Sequence, residues 1–269
     1  MRYVEKKAKM IRALSDRWRR SGINEGDTML IHSDIARTII EVRKQSGVKI
    51  GPPEILESFI EAVGPSGTLL FPLFNFDFTK SCKFDIRKTP SQMGALTELV
   101  RKDFRTVRTG HPIYSFGVLG SKAQVFHGVD NKSAYAEDSP FGILRRLEGK
   151  IAVLDLPDSR SMTFYHHVEE LERVDFRYFK DFSGQYTDEN GLTSEKTYSI
   201  YVRDLSRNIV SNANPAGELL WKNGLYRGVR PKENSGLRTI RANDMFGFVS
   251  DLINTGNAEG NLFIYGEDE

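Results

Sequence analysis

The sequence predicts an α/β fold: one domain over residues 1–269, a sheet with helices packed on it, and a β-rich insertion or lid over residues 175–240. Three observations carry this. Stretches with apolar residues three and four apart alternate with short apolar runs, the pattern of helices alternating with buried strands. Glycine, proline and small polar residues fall between them, where the chain must turn. After Val174 the composition shifts to aromatic, β-branched and turn residues in RYFKDFSGQYTDENGLTSEKTYSIYVRDLSRN, which suits paired strands.

The elements follow in order. Val4, Ala8, Ile11, Leu14 and Trp18 mark an amphipathic helix closing near Gly22. DTMLIHS (27–33) reads as a buried strand running into a loop, PPEILESFIEAVG as a helix and TLLFPLF (68–74) as a strand. MGALTELVRKDF (93–104) is a helix and IYSFGVLG (113–120) a strand. SPFGILRRLEG (139–149) is a helix capped by Ser139 with Pro140 in its first turn, and KIAVLDLP (150–157) a strand. The chain closes with NSGLRTIRANDMFGFVSDLINTG, a strand leading into a helix that begins near Ala242. In such sheets ligands collect where strands end and loops begin.

Lys and Arg number 38 against 36 Asp and Glu, so charge is nearly balanced and nothing in it demands nucleic acid. The basic clusters KKAK, RWRR (17–20) and LRRLEGK (144–150) lie on helical segments, where a charge run is usually the solvated face. Cys82 is the only cysteine, which excludes an intramolecular disulfide and a multi-cysteine metal site and fits a reducing compartment. MRYVEKKAKMIRAL carries charge throughout rather than the apolar run of a signal peptide, and no stretch is long enough to span a bilayer. The expectation is a soluble cytoplasmic protein with no membrane partner.

The stretch SMTFYHHVEELERV (161–174) sets His166 and His167 side by side in a chain with five histidines. Helical neighbours point about 100° apart, so the two rings face different surroundings, while residues three or four apart lie over one another. His166 therefore meets Glu169 or Glu170, and His167 looks elsewhere. A carboxylate beside an imidazole holds one tautomer and favours the protonated ring, which suits a general base; the same spacing also serves plain surface ion pairs. Other motifs fail. GPSGTLL (64–70) lacks the Lys-Ser/Thr ending of a phosphate loop and the spacing of a dinucleotide fingerprint, and Thr68 stands where a nucleophile elbow needs its second glycine. HHVEE is not His-Glu-x-x-His and has no further ligands nearby for zinc, so no metal is expected.

Several fragments in order resemble the aminoglycoside 3-N-acetyltransferase family, the antibiotic acetyltransferases that are not of the GNAT type. They are IHSDIA (31–36), GPSGTLLFPLF (64–74), TPSQMGALTELVRK (89–102), VRTGHPIYSFGVLG (107–120) and SPFGILRRLEGKIAVL (139–154). Thr163, His166 and Glu169 complete the set by matching the family's Thr-x-x-His-x-x-Glu signature, and FRYFKDFSG resembles its tyrosine- and arginine-containing continuation. The resemblance implies a central mixed sheet with helices on both faces, subunits that pair as a homodimer, and acetyl transfer from acetyl-CoA to an amine by direct attack. His166 would be the base, Glu169 its orienting partner, and Thr163 a support for the turn or the thioester carbonyl. His32, Ser33, Asp34, Ile35 and Ala36 resemble the segment that holds the pantetheine arm and acetyl group through backbone amides. Arg108, His111, Ser115 and Phe116 fall in the matching Arg-x-x-His-Pro-x-x-Ser-Phe segment, which implies contacts to CoA; His32, Pro112 and Phe116 also have ordinary structural uses at a strand end, a turn and a core.

Two departures bear on the acceptor. LDLPDSRSM stands where the family carries a glycine-containing turn before the signature. The formal charge of +2 and a pI near 8.5 offer no long-range attraction to polycationic aminoglycosides. The expected acceptor is the amine of an amino sugar, with a nucleotide-linked sugar suiting a basic surface. The competing readings are an aminoglycoside resistance enzyme and a catalytically silent CoA-binding or scaffold protein.

Overall fold

A computed structural model describes residues 3–231 and 236–266. In chain order the helices are α1 (Tyr3–Arg20), α2 (Ala36–Ser46), α3 (Pro52–Val63), α4 (Ala95–Lys102), α5 (Pro140–Arg146), α6 (Phe164–Leu171), α7 (Asn214–Lys222) and α8 (Ala242–Asn254). The strands are β1 (Thr28–Ser33), β2 (Thr68–Pro72), β3 (Phe84–Asp85), β4 (Val107–Arg108), β5 (Phe116–Gly120), β6 (Lys150–Leu154), β7 (Arg177–Thr187), β8 (Thr193–Arg203), β9 (Ile209–Ser211), β10 (Arg227–Gly228), β11 (Leu237–Arg241) and β12 (Phe263–Tyr265).

Seven strands form the central sheet in the order β10-β11-β6-β1-β2-β5-β4. Strands β6, β1 and β2 run parallel, and β11, β10, β5 and β4 pair antiparallel at the flanks, so the sheet is mixed. Alternation along the central strands supplies two cores. Leu30, Leu70, Ile151 and Val153 face the helices α5, α6, α7 and α8 through Phe141, Phe164, Val168, Leu220 and Met245. Met29, Ile31, Leu69 and Phe71 face α1 to α4 through Trp18, Val42, Phe59, Leu96 and Val100. Helices thus cover both faces. On the second face Trp18 stacks on Phe59 at 5.2 Å and donates Nε1–H to Ser58 Oγ at 2.8 Å, locking α1 onto α3.

The basic clusters are largely engaged within the fold. Arg17 pairs with Glu41, Arg19 donates to the carbonyls of Glu61 and Ala62, Arg145 and Arg146 reach Glu137, and Lys150 pairs with Asp27 at 2.6 Å. Among the described residues no helix is long and apolar enough to cross a membrane.

Three expectations change. The loop expected after β1 is instead the helix α2, which buries Thr38 and Val42 and packs Ile35 and Ile39 against the same core. Ser139 takes the N-cap position of α5, yet its Oγ makes no hydrogen bond there; Pro140 at the helix start fixes the entry. Residues 175–240 contain the hairpin β7–β8, in register from Arg177↔Arg203 to Thr187↔Thr193, but they also contain α7, and β11 belongs to the central sheet beside β6. Residues 232–235 of that segment, and with them Asn234 and Ser235 at the start of the expected closing strand, lie outside the described residues.

Candidate active site

Helix α6 presents its residues on two sides. Phe164, Tyr165, His167 and Val168 enter the core, while His166 and Glu169, one turn apart, share a side. His166 Nδ1 lies 2.7 Å from Glu169 Oε2, so Glu169 rather than Glu170 is its partner; Glu170 accepts from Ser133 Oγ at 2.8 Å. A carboxylate accepts only, which places the ring proton on Nδ1 and the lone pair on Nε2. Arg177, at the base of β7, brings Nε to 2.6 Å from the same Glu169 oxygen, an ion pair by distance although the N–H points off it, and donates to Tyr201 O and Ser211 Oγ. Burial alone would raise the Glu169 pKa, but Arg177 and His166 outweigh it and hold the carboxyl below its ordinary value.

Glu169 does favour the protonated form of His166, as expected, but it does not decide the balance. Burial lowers the ring's pKa, Arg177 adds to that, and Glu169 opposes both with less effect, so the pKa falls below 6.5. The ring is therefore neutral at pH 7, the form able to take a proton. His166 remains 25% exposed beside a carboxylate that is 2% exposed. His167 is sealed: Nδ1 lies 2.6 Å from the Tyr135 carbonyl, the ring stacks on Phe141, and burial brings its pKa to about 4.

The His166 ring opens into a cleft of about 170 Å³ lined also by Asp158, Arg160, Thr163, Glu169 and Ser211. A second cleft of about 360 Å³ lies at the C-terminal ends of β1 and β2, between His32, Ser33, Asp34 and Ile35 on one side and the first turn of α4, Gly94 to Thr97, on the other. Arg160 and Ser161 line both clefts, which are therefore neighbours at the short turn ahead of α6. Thr163 stands at the N-cap position of α6 with its buried Oγ1 lacking a hydrogen-bond partner. His32 Nε2 is likewise buried and unpartnered, and burial, with Arg238 nearby, takes the His32 pKa to about 3.

The loop 32–36 forms the second cleft only in part. Ala36 does not line it; its amide donates to Asp34 Oδ1 at 3.0 Å at the start of α2, and the Asp34 amide donates to Leu154 O, extending the β1–β6 pairing, so both amides are engaged.

The segment 107–120 departs from expectation. Arg108 is buried, its guanidinium donating to Ser115 Oγ and to the carbonyls of Ile86 and Thr89 and lying 5.0 Å over the Phe84 ring. Burial takes its pKa to about 10, still charged at neutral pH. His111 Nδ1 accepts the amides of Ile113 and Tyr114, Ser115 Oγ donates to Leu73 O, and Phe116 packs edge-on against Phe74 and Phe141. None of these four lines either cleft. Apart from His111 Nε2, which is buried without a hydrogen-bond partner, their side-chain polar atoms bond within the chain at the edge of the sheet.

Sequence reasoning assigned no role to Arg177, Arg160 or Asp158. Arg177 stands in the FRYF continuation, a visible signal; Arg160 and Asp158 lie in the LDLPDSRSM stretch, whose departure from the expected turn was the only sign.

The family model described as aminoglycoside 3-N-acetyltransferase matches residues 40–254. Aminoglycoside N(3)-acetyltransferase VII of Streptomyces paromomycinus is 25% identical over 183 residues, which is 60% of this chain and 60% of that protein, so the chain spans about three fifths of that relative's length. The solved structure of AAC-IIIb with CoASH superposes with a TM-score of 0.76 at 20% identity, covering 95% of this chain and 98% of that one. AAC-VIa bound to sisomicin gives 0.73 at 20% identity, covering 91% and 97%. The mixed sheet, the helices on both faces and the match over most of the length agree: the chain belongs to the aminoglycoside 3-N-acetyltransferase family.

Proposed function

We propose that this protein is an acetyl-CoA-dependent N-acetyltransferase acting on the amine of an amino sugar, working as one domain in which the 175–240 segment supplies Ser211 to the acceptor cleft and Arg177 to Glu169. The observation that carries this is the neutral His166, oriented by Glu169, in a cleft that shares Arg160 and Ser161 with the cleft at the strand ends. Family membership and the relative with bound CoASH support acetyl-CoA as the donor. The residues suit it. The cleft at β1 and β2 has a volume within the range of small-molecule sites, and His32, one of its lining residues, has a buried Nε2 with no partner in the chain.

The amine nitrogen attacks the thioester carbon, forming the C–N bond as the C–S bond breaks. His166 Nε2 takes the proton that the nitrogen loses and returns it to the departing sulfur, leaving an acetamide and free CoA thiol. Glu169 offsets the charge on the ring between these steps, and Arg177 keeps Glu169 ionised. No acyl-enzyme is needed.

Charge favours an anionic acceptor. Of the carboxylates lining the His166 cleft, Asp158 is paired with Arg238 and Glu169 with Arg177, while Arg160 is exposed. A polycation would find no free counter-charge there, whereas the phosphates of a nucleotide-linked amino sugar would. The test is an acceptor screen with acetyl-CoA, scored by thiol release. Turnover of nucleotide-linked amino sugars is expected. Turnover of kanamycin-type amines alone would return the protein to aminoglycoside modification, and silence with every amine would leave only a binding role.

A further inference from the structure

We propose that Asp158 is a positioning residue that fixes where His166 stands in its cleft. Asp158 is 5% exposed and opens the turn Asp158–Arg160 that both clefts share. Its Oδ1 accepts Arg238 Nη2 at 2.6 Å, and its Oδ2 accepts the hydroxyls of Tyr165 at 2.8 Å and Tyr226 at 2.6 Å. Its backbone carbonyl accepts the amides of Ser161 and Met162. One side chain therefore ties together β11, the loop after α7, the shared turn and α6, where Tyr165 immediately precedes His166.

The knot is tight on every side. Arg238 is 1% exposed, gives Nη1–H to Leu156 O at 2.6 Å and lies 5.2 Å over the Tyr226 ring. In the sheet Arg238 pairs with Val153, which pairs with His32, so the same row reaches the donor-side cleft. Helix α7 comes so close that a Cβ on Gly217 would lie 2.6 Å from Asp158 Cγ. A buried carboxylate with a guanidinium and two hydroxyl donors has its lone pairs satisfied and a single geometry, and a catalytic ring one residue away from such an anchor inherits that geometry.

The kinetic consequence rests on the acetyl-transfer reading; a spectroscopic one does not. Tyr165→Phe and Tyr226→Phe each delete one hydroxyl bond to the same oxygen, yet only Tyr165 lies on α6. In the full chain both should lower Tm by similar amounts. Tyr165→Phe should also move the NMR titration midpoint of His166, whose charged neighbours Glu169, Arg177 and Arg203 are untouched, up towards 6.5 as the ring becomes better hydrated. It should lower kcat roughly tenfold with KM for acetyl-CoA within about twofold, the pattern of a misplaced group rather than a lost binding contact. Gly217→Ala, which pushes the carboxylate from the other side without removing a hydrogen-bonding group, should shift the same midpoint. Tyr226→Phe should shift it least. If the midpoint stays put in all three variants, or if kcat falls equally in both tyrosine variants in step with Tm, Asp158 is structural only and the proposal is overturned. Should the acetyl-transfer reading fail instead, the wild-type protein will release no thiol with any amine while the midpoint still separates the two tyrosine variants.

Discussion

Helix α6 and the segment 107–120 each carry a histidine in a stretch that resembles the same family's motifs, and the fold treats the two oppositely. His166 engages a side-chain carboxylate through Nδ1 and keeps a quarter of its surface open beside a cleft. His111 is fully buried, its Nδ1 accepts two main-chain amides, and its ring packs against Tyr114 and Tyr198. The same contrast holds for the arginines: Arg160 is exposed and lines both clefts, whereas Arg108 donates to a hydroxyl and two carbonyls. A polar side chain whose partners all belong to its own chain builds the scaffold. One that leaves an atom facing a cavity is available for chemistry.

The sharpest way to break this contrast is to delete each ring. His166→Ala should reduce kcat by about 10²–10⁴-fold while leaving CoA affinity nearly intact, because a base acts on the chemical step. His111→Ala should instead lower stability with the residual folded enzyme still active; a reversal of the two results would transfer the catalytic role to His111. Next in size, Arg108→Met should destabilise by about 3 kcal/mol, since it removes the donor to the buried carbonyl of Ile86 and the half-buried one of Thr89, and KM for acetyl-CoA should stay within about twofold. A large rise in that KM with unchanged stability would restore Arg108 as a CoA contact.

Acid should separate the rings as well. His32, His111 and His167 have pKa values lowered by burial to about 3, about 4 and about 4, whereas the unfolded chain binds protons below about 6.5. Stability is therefore full above pH 6.5 and falls as pH drops from there towards 4, by about 2 kcal/mol per ring at pH 5. Denaturant unfolding between pH 8 and 5 measures it, and His167→Phe should flatten part of the slope. Smallest is Arg160→Gln, expected to raise KM for the donor or the acceptor by roughly tenfold or less without changing Tm, as removal of an exposed charged contact does. A fall in Tm would place Arg160 with Arg108 in the scaffold.

Much of this was legible before any coordinates. Apolar runs announced β1, β2 and β6, and the three-residue spacing of His166 and Glu169 placed them on one helical side. Two helices were not legible, for physical reasons. Helix α2 has Ile35 at its N-cap without a side-chain cap bond and leaves Ile40 half-exposed beside its short stripe of Ile35, Ile39 and Val42, so its start carries no signal. Helix α7 carries Pro215 and Gly217, which read as breakers; the proline sits in the first turn, and the glycine is needed where the helix meets Asp158. In the site, the motif supplied His166 and Glu169 but not Arg177, which approaches from a neighbouring strand, nor Arg238, 80 residues from Asp158. The motif also implied ligand contacts for Arg108 and His111, because residue type alone does not reveal whether main-chain partners have already claimed a side chain.

The most direct test of the central claim is to follow the imidazole NMR signals while CoA is added to the wild-type protein. The signals of His166 and His32 should move and those of His111 and His167 should stay, since only the first two of these line the neighbouring clefts. Movement of His111 with His166 unperturbed would contradict the account.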